Sequence, residues 1–127
     1  MPRAKILRGR KNFQRLFQPG ATTFRNELVD LRFRIYSDLN DGCLMGFIVK
    51  KTLGKATKRN RVKRLLREAY RLNQHILTPL FERTSYSFHG VLMAKTIEME
   101  FHAVQDQVID LLQRTQQHLL PLIEPGS

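Results

Sequence analysis

Ten basic residues stand between positions 50 and 71, namely Lys50, Lys51, Lys55, Lys58, Arg59, Arg61, Lys63, Arg64, Arg67 and Arg71, against one acid, Glu68. Their chemistry is recognition of anions: the guanidinium fork meets phosphate oxygens two at a time, and ammonium groups add point charge. Asn60 contributes a donor and an acceptor that suit a phosphate, a 2′-hydroxyl or a metal-bound water. At 100° per residue, Asn60, Lys63, Arg64, Arg67 and Arg71 share one side of a helix. Val62, Leu65, Leu66, Ala69, Leu72 and Ile76 share the other, with Arg59 and Arg61 flanking. Solvated helix faces ordinarily mix signs. Cations left uncompensated repel by tenths of a kcal/mol per i,i+4 pair, so a ligand that brings negative charge explains the face economically. Lys50, Lys51, Gly54 and Lys55 approach the same helix from its N-terminal side and continue the basic surface.

Other reactive side chains form no catalytic or metal-binding set. His75, His89, His102 and His118 have no ligand spacing. Glu98, Glu100, Asp106 and Asp110 fall on or beside a solvated helix face, and Cys43 has no evident base. As the single cysteine, Cys43 also excludes an intramolecular disulfide and a cysteine-rich zinc site. Gly54-Lys55-Ala56-Thr57 ends like a phosphate-binding P-loop, but that motif needs glycine where Val49 stands. No catalytic residue and no metal ligand are expected. The reading is a binding protein.

The elements that must carry the basic helix are legible from periodicity. The chain has 127 residues, 42% hydrophobic, with 22 Lys and Arg against 11 acids, a net charge of +11. That is one folded, basic domain, expected over residues 1–120, with a tail at 121–127 expected to fray. Six cations, Arg3, Lys5, Arg8, Arg10, Lys11 and Arg15, occupy residues 1–15 with no acid, so charge is concentrated in two blocks. Nucleic acid is the first candidate partner. Asn12 reads as the cap of a short helix with Phe13, Leu16 and Phe17 on one side, stopped by Pro19-Gly20. Thr22–Arg25 and the alternating Leu28–Tyr36 read as strands. After the Asn40-Asp41-Gly42 turn, Leu44–Val49 reads as a third strand, expected to pair with the second as a hairpin. The basic helix follows over residues 57–77, stopped by Pro79. Val91–Ala94 makes a last strand and residues 101–119 a closing amphipathic helix. The order α-β-β-β-α-β-α, a small sheet of about four strands with three helices, favours an α+β fold. No apolar run approaches the ~18 residues that span a bilayer, and no apolar stretch follows Met1–Lys5, so a cytoplasmic protein without a membrane partner is expected.

The run from Gly46 to Glu68, with Lys50-Lys51, Gly54-Lys55-Ala56 and Arg59-Asn60-Arg61 in order, resembles the signature of the bacterial ribonuclease P protein subunit. Asn12 to Gly20, with two phenylalanines four apart, resembles that family's first helix, and Val91 to Lys95 its last strand. The resemblance covers about residues 3–119. Lys50-Lys51-Thr52 stands where the family usually has Ser-Lys-Lys, and Thr57 where it has an apolar residue. The resemblance implies a left-handed β-α-β crossover around the Arg-Asn-Arg helix, against the usual hand. It implies a catalytic RNA partner that removes the 5′ leader of precursor tRNA to leave a 5′-phosphate. The Mg²⁺ for that chemistry is bound mainly by the RNA, and no obligate protein partner or organic cofactor is involved. Lys51, Lys55, Arg59, Asn60, Arg61, Lys63, Arg64, Arg67 and Arg71 would bind RNA. Phe13 and Phe17, whose spacing alone reads as core packing, would line a cleft for the single-stranded leader. A structural RNA-binding protein of ribosomal type would share the charge and fold class without needing that cleft. A helix-turn-helix regulator is disfavoured, because a strand rather than a helix precedes the basic helix.

Overall fold

A computed structural model describes residues 5–123 of the chain. Arg3 of the basic N-terminal block and residues 124–127 of the expected tail lie outside the described residues. In chain order the elements are α1 (Arg10–Leu16), β1 (Thr22–Arg25), β2 (Val29–Tyr36), β3 (Cys43–Val49), α2 (Ala56–Asn73), α3 (Thr78–Glu82), β4 (Ser87–Ala94) and α4 (Phe101–Ile123). The fold is α+β, with one four-stranded mixed sheet in the order β1-β2-β4-β3.

The expected hairpin of β2 and β3 does not form. β4 runs between them, antiparallel to β2 and parallel to β3. The reason lies in β4 itself, where seven of eight residues are buried. A strand that is apolar on both faces belongs at the centre of a sheet, and residues outside Val91–Ala94 contribute to it. Ser87, Phe88, His89 and Gly90 extend β4 upstream of the expected Val91–Ala94.

Two helices cover one face of the sheet and one covers the other. Leu31, Leu92 and Phe47 form one row across the sheet, and with Val29, Phe33 and Met45 they face Val62, Leu66 and Tyr70 of α2 and Val104, Val108 and Leu111 of α4. Each fully buried side chain of this size contributes ~1.5–3 kcal/mol. On the reverse face Leu7, Leu16 and Val91 are buried, with Phe13, Leu44, Ile48 and Met93 half-buried around them. The core therefore lies mainly between the sheet and the α2/α4 layer.

The helix ends differ from the sequence reading in three places. Gly9, not Asn12, occupies the N-cap of α1, and Asn12 lies inside the helix with Nδ2 donating to the Arg8 carbonyl at 2.8 Å. Pro79 does not end the helical region, since α2 closes at Asn73 and Pro79 sits in the first turn of α3, a fourth helix. Proline is tolerated there because first-turn amides have no intrahelical acceptor. α4 continues past Pro121 to a buried Ile123, beyond the point where fraying is expected. Among the described residues no helix is long and apolar enough to cross a membrane.

Candidate nucleic-acid interface

The basic helix is aimed by two backbone ties and one close contact. Arg59 Nε donates to the Gly54 carbonyl at 3.0 Å, fastening the loop before α2 to its first turn. Arg61 donates from one terminal nitrogen to the Met99 carbonyl at 3.2 Å, fastening the same turn to the segment that leads into α4. A Cβ on Gly54 would stand 2.6 Å from Ile97 Cδ1, so a side chain there would have to displace the Ile97 terminal methyl. Val62, Leu66, Ala69 and Tyr70 bury the inner side of α2 and turn its outer side to solvent.

On that outer side Asn60 and Arg64 are exposed, Lys63 is half-exposed, and none of the three has a side-chain bond among the described residues. Lys51, in a single 3₁₀ turn, and Lys55, at the N-cap of α2, are exposed as well. The first turn of α2 has neither a side-chain cap nor an acid. Its free amides and positive dipole end are therefore left to face an anion among lysines.

Two of the expected cations differ from the others in what they touch. Arg71 is not an uncompensated charge: it grips Glu68 with two hydrogen bonds, at 3.0 and 2.5 Å. The hydrogen bonds from Arg71 hold the Glu68 carboxyl below its ordinary range, and the same bonds raise Arg71. Arg67 lies with its guanidinium carbon 5.8 Å from the centroid of the Phe47 ring. The sequence reading left out Phe47, whose alternating position on β3 marks only a buried strand residue.

Phe13 lies on α1 and Phe17 caps its C-terminal end, on the reverse face of the sheet from α2, so the structure separates the two expected sites. Their environments differ. Phe13 is half-buried over Gly46, and Phe17 is 51% exposed. Arg32, which alternation places on the wet side of β2, instead reaches the C-terminal end of α1. It donates through Nε to the Leu16 carbonyl, and through its two terminal nitrogens to Thr23 Oγ1 at 2.9 Å and to the Gln18 carbonyl at 3.2 Å. Arg34 adds a bond to the Arg15 carbonyl at 3.0 Å. Cations on the last carbonyls satisfy groups that a helix end leaves open and complement its negative dipole end. The Arg32 guanidinium also lies 5.8 Å from the Phe17 centroid and backs that ring.

Cys43 and His89, among the described residues, are reactive groups buried in the core. Burial pushes the Cys43 thiol up to about 12, against the hydrogen bond to Tyr70. His89 Nε2 lies 2.8 Å from Asp41 Oδ2, but the imidazole is completely buried. No three carboxylate, histidine or cysteine side chains converge as a metal site among the described residues.

A family model described as Ribonuclease P matches residues 1–116. The chain belongs to the ribonuclease P protein family. It is 35% identical to the ribonuclease P protein component of Chloroflexus aggregans over 128 residues, covering 100% of this chain and 89% of that relative. It is 30% identical to the ribonuclease P protein component of Thermotoga maritima over 112 residues, covering 88% of this chain and 92% of that relative. The solved ribonuclease P protein of Thermotoga maritima superposes with a TM-score of 0.69 at 28% identity, covering 87% of this chain and 96% of that one. That of Staphylococcus aureus, at 19% identity and covering 89% and 96%, has a TM-score of 0.71 and shares the fold. A ribonuclease P protein is a component of a ribonucleoprotein endoribonuclease of tRNA processing.

Proposed function

We propose that this chain binds the catalytic RNA of ribonuclease P through the outer face of α2 and the loop before it. Through α1 and the adjoining sheet face, it binds the 5′ leader of precursor tRNA. The observation that carries the reading is the set Lys51, Lys55, Asn60, Lys63 and Arg64, which surrounds an uncapped helix N-terminus and has no side-chain bond inside the protein. Arg59 and Arg61, each tied to a carbonyl by one nitrogen, keep further donors for phosphate. On the reverse face Phe17 offers an exposed ring for a leader base, beside half-buried Phe13, Ile48 and Met93.

Cleavage itself is assigned to the RNA, with Mg²⁺ held there, because the described residues of the protein provide no converging ligands for the metal. The protein supplies affinity and orientation, and the leader is removed hydrolytically to give the mature 5′ end in the cytoplasm. The test is reconstitution with a bacterial ribonuclease P RNA and a precursor tRNA at low Mg²⁺. Leader removal that accelerates on adding the protein supports the proposal. Tight RNA binding with unchanged cleavage would overturn it in favour of a purely structural RNA-binding role.

A further inference from the structure

Among the described residues three arginines lie against phenylalanine rings, and they are not equivalent. Arg32 on Phe17 and Arg114 on Phe24, with guanidinium carbons 5.8 and 5.4 Å from the ring centroids, use their donors inside the protein. Arg32 holds the end of α1, and Arg114 donates to the Arg25 carbonyl at 2.9 Å and to Asn26 Oδ1 at 3.1 Å. Arg67 has no hydrogen bond or ion pair among the described residues and is exposed.

The ring behind Arg67 is anchored. Phe47 is half-buried on β3, an outer strand of the sheet, and its centroid is 6.1 Å from that of Tyr70. Tyr70 is completely buried, with its hydroxyl 3.6 Å from Cys43 Sγ. Tyr70, Phe47 and Arg67 thus form a column from the core to solvent. A guanidinium held against a ring has one face sealed and the other free. Such a face stacks on the π-surface of a nucleobase, with the positive charge adding to the attraction. Lys63 and Arg64, one turn earlier on the helix and lacking any ring behind them, remain the groups suited to phosphate.

We propose that Arg67, backed by Phe47, is a stacking platform for one unpaired nucleobase of the RNA partner. The inference rests on the nucleic-acid reading of α2 and deepens it. A base in a regular A-form helix is stacked on both faces, so the occupant belongs to a loop, bulge or single-stranded joint.

The chain contains no tryptophan, so Arg67→Trp would add a single fluorescent reporter that keeps a stacking surface and removes the charge. The probe is an in vitro transcript of a bacterial ribonuclease P RNA. Arg67→Trp is expected to bind it within about threefold of the unsubstituted protein, with its indole emission quenched by the RNA. Arg67→Gln is expected to bind about tenfold or more weakly, the scale of one lost base stack. Phe47→Leu should weaken binding similarly, and Arg67→Trp, which alters a surface position, decides the matter if that variant fails to fold. Arg67→Trp binding as weakly as Arg67→Gln, with emission unchanged by RNA, would overturn the proposal and make Arg67 a phosphate contact. Failure of the unsubstituted protein to bind the transcript would instead remove the whole nucleic-acid reading.

Discussion

The ring of Phe13 lies over Gly46 so closely that a Cβ on the glycine would stand 2.6 Å from Phe13 Cε1. Gly46 belongs to a row across the whole sheet, Thr23, Arg32, Val91 and Gly46. α1 spans that row, with Phe13 on the glycine at one end and the Leu16 carbonyl held by Arg32 at the other. The glycine therefore sets how near α1 sits to the sheet. Gly46→Ala is expected to cost ~1–3 kcal/mol by overpacking, read as a lower thermal midpoint. It is also expected to weaken binding of precursor tRNA more than of mature tRNA, and an unchanged midpoint would show that α1 moves freely on the sheet.

Arg32→Met keeps most of the side-chain volume and removes the donors to Leu16, Gln18 and Thr23. Loss of these bonds is expected to cost roughly 1–3 kcal/mol. Amide hydrogen exchange in residues 10–16 should accelerate before exchange in β2 or β4 does.

Phe17 is 51% exposed, so Phe17→Ala is expected to leave stability within about 0.5 kcal/mol. Affinity for precursor tRNA should fall by the ~1–3 kcal/mol of one stacked base, with affinity for a leaderless tRNA unchanged. Equal losses for both substrates would remove the leader role.

Arg64→Glu leaves the core of α2 intact because Arg64 is exposed and unbonded among the described residues. If about six cations of the interface meet phosphates, log K against log salt has a slope of about −4 to −5. The substitution should flatten that slope by about one unit or more while the circular dichroism melt stays in place.

Burial raises the Cys43 thiol from its ordinary 9.0 to about 12, and burial likewise raises Tyr70. Both groups stay neutral in the folded chain at pH values where the unfolded chain ionises them. The Cys43 contribution is complete below about pH 9 and is lost as pH rises toward 12, and that of Tyr70 begins to be lost only above its ordinary 10.0. The urea midpoint is therefore expected to fall from pH 9 upward, less steeply in Cys43→Ala. A thiol reagent at neutral pH should label Cys43 only after unfolding.

Much of this was legible from local periodicity. The apolar stripes of α2 and α4 and the alternation of β2 repeat at 3.6 or 2 residues, and such repeats record which side an element buries. The hairpin of β2 and β3 was misread because adjacency in sequence stood in for adjacency in space. The role of Arg32 and Arg34 was invisible because alternation marks a residue as polar-facing and says nothing about a helix end lying above it. Glu68 looked like an isolated acid, yet one turn of helix brings Arg71 onto it.

By itself, the sequence determined the concentration of charge in two blocks, the basic helix with its buried stripe and the ordered signature that marks the family. All of these are properties of residues near one another along the chain. Only the tertiary structure decided that β4 lies at the centre of the sheet and that α1 and α2 sit on opposite faces. It also decided which cations are spent internally and which, among the described residues, are left exposed without a side-chain bond. Those outcomes depend on partners distant in sequence, such as Gly46 for Phe13, Leu16 for Arg32 and Phe47 for Arg67. Such pairs meet only when burying both faces of β4 draws the elements together.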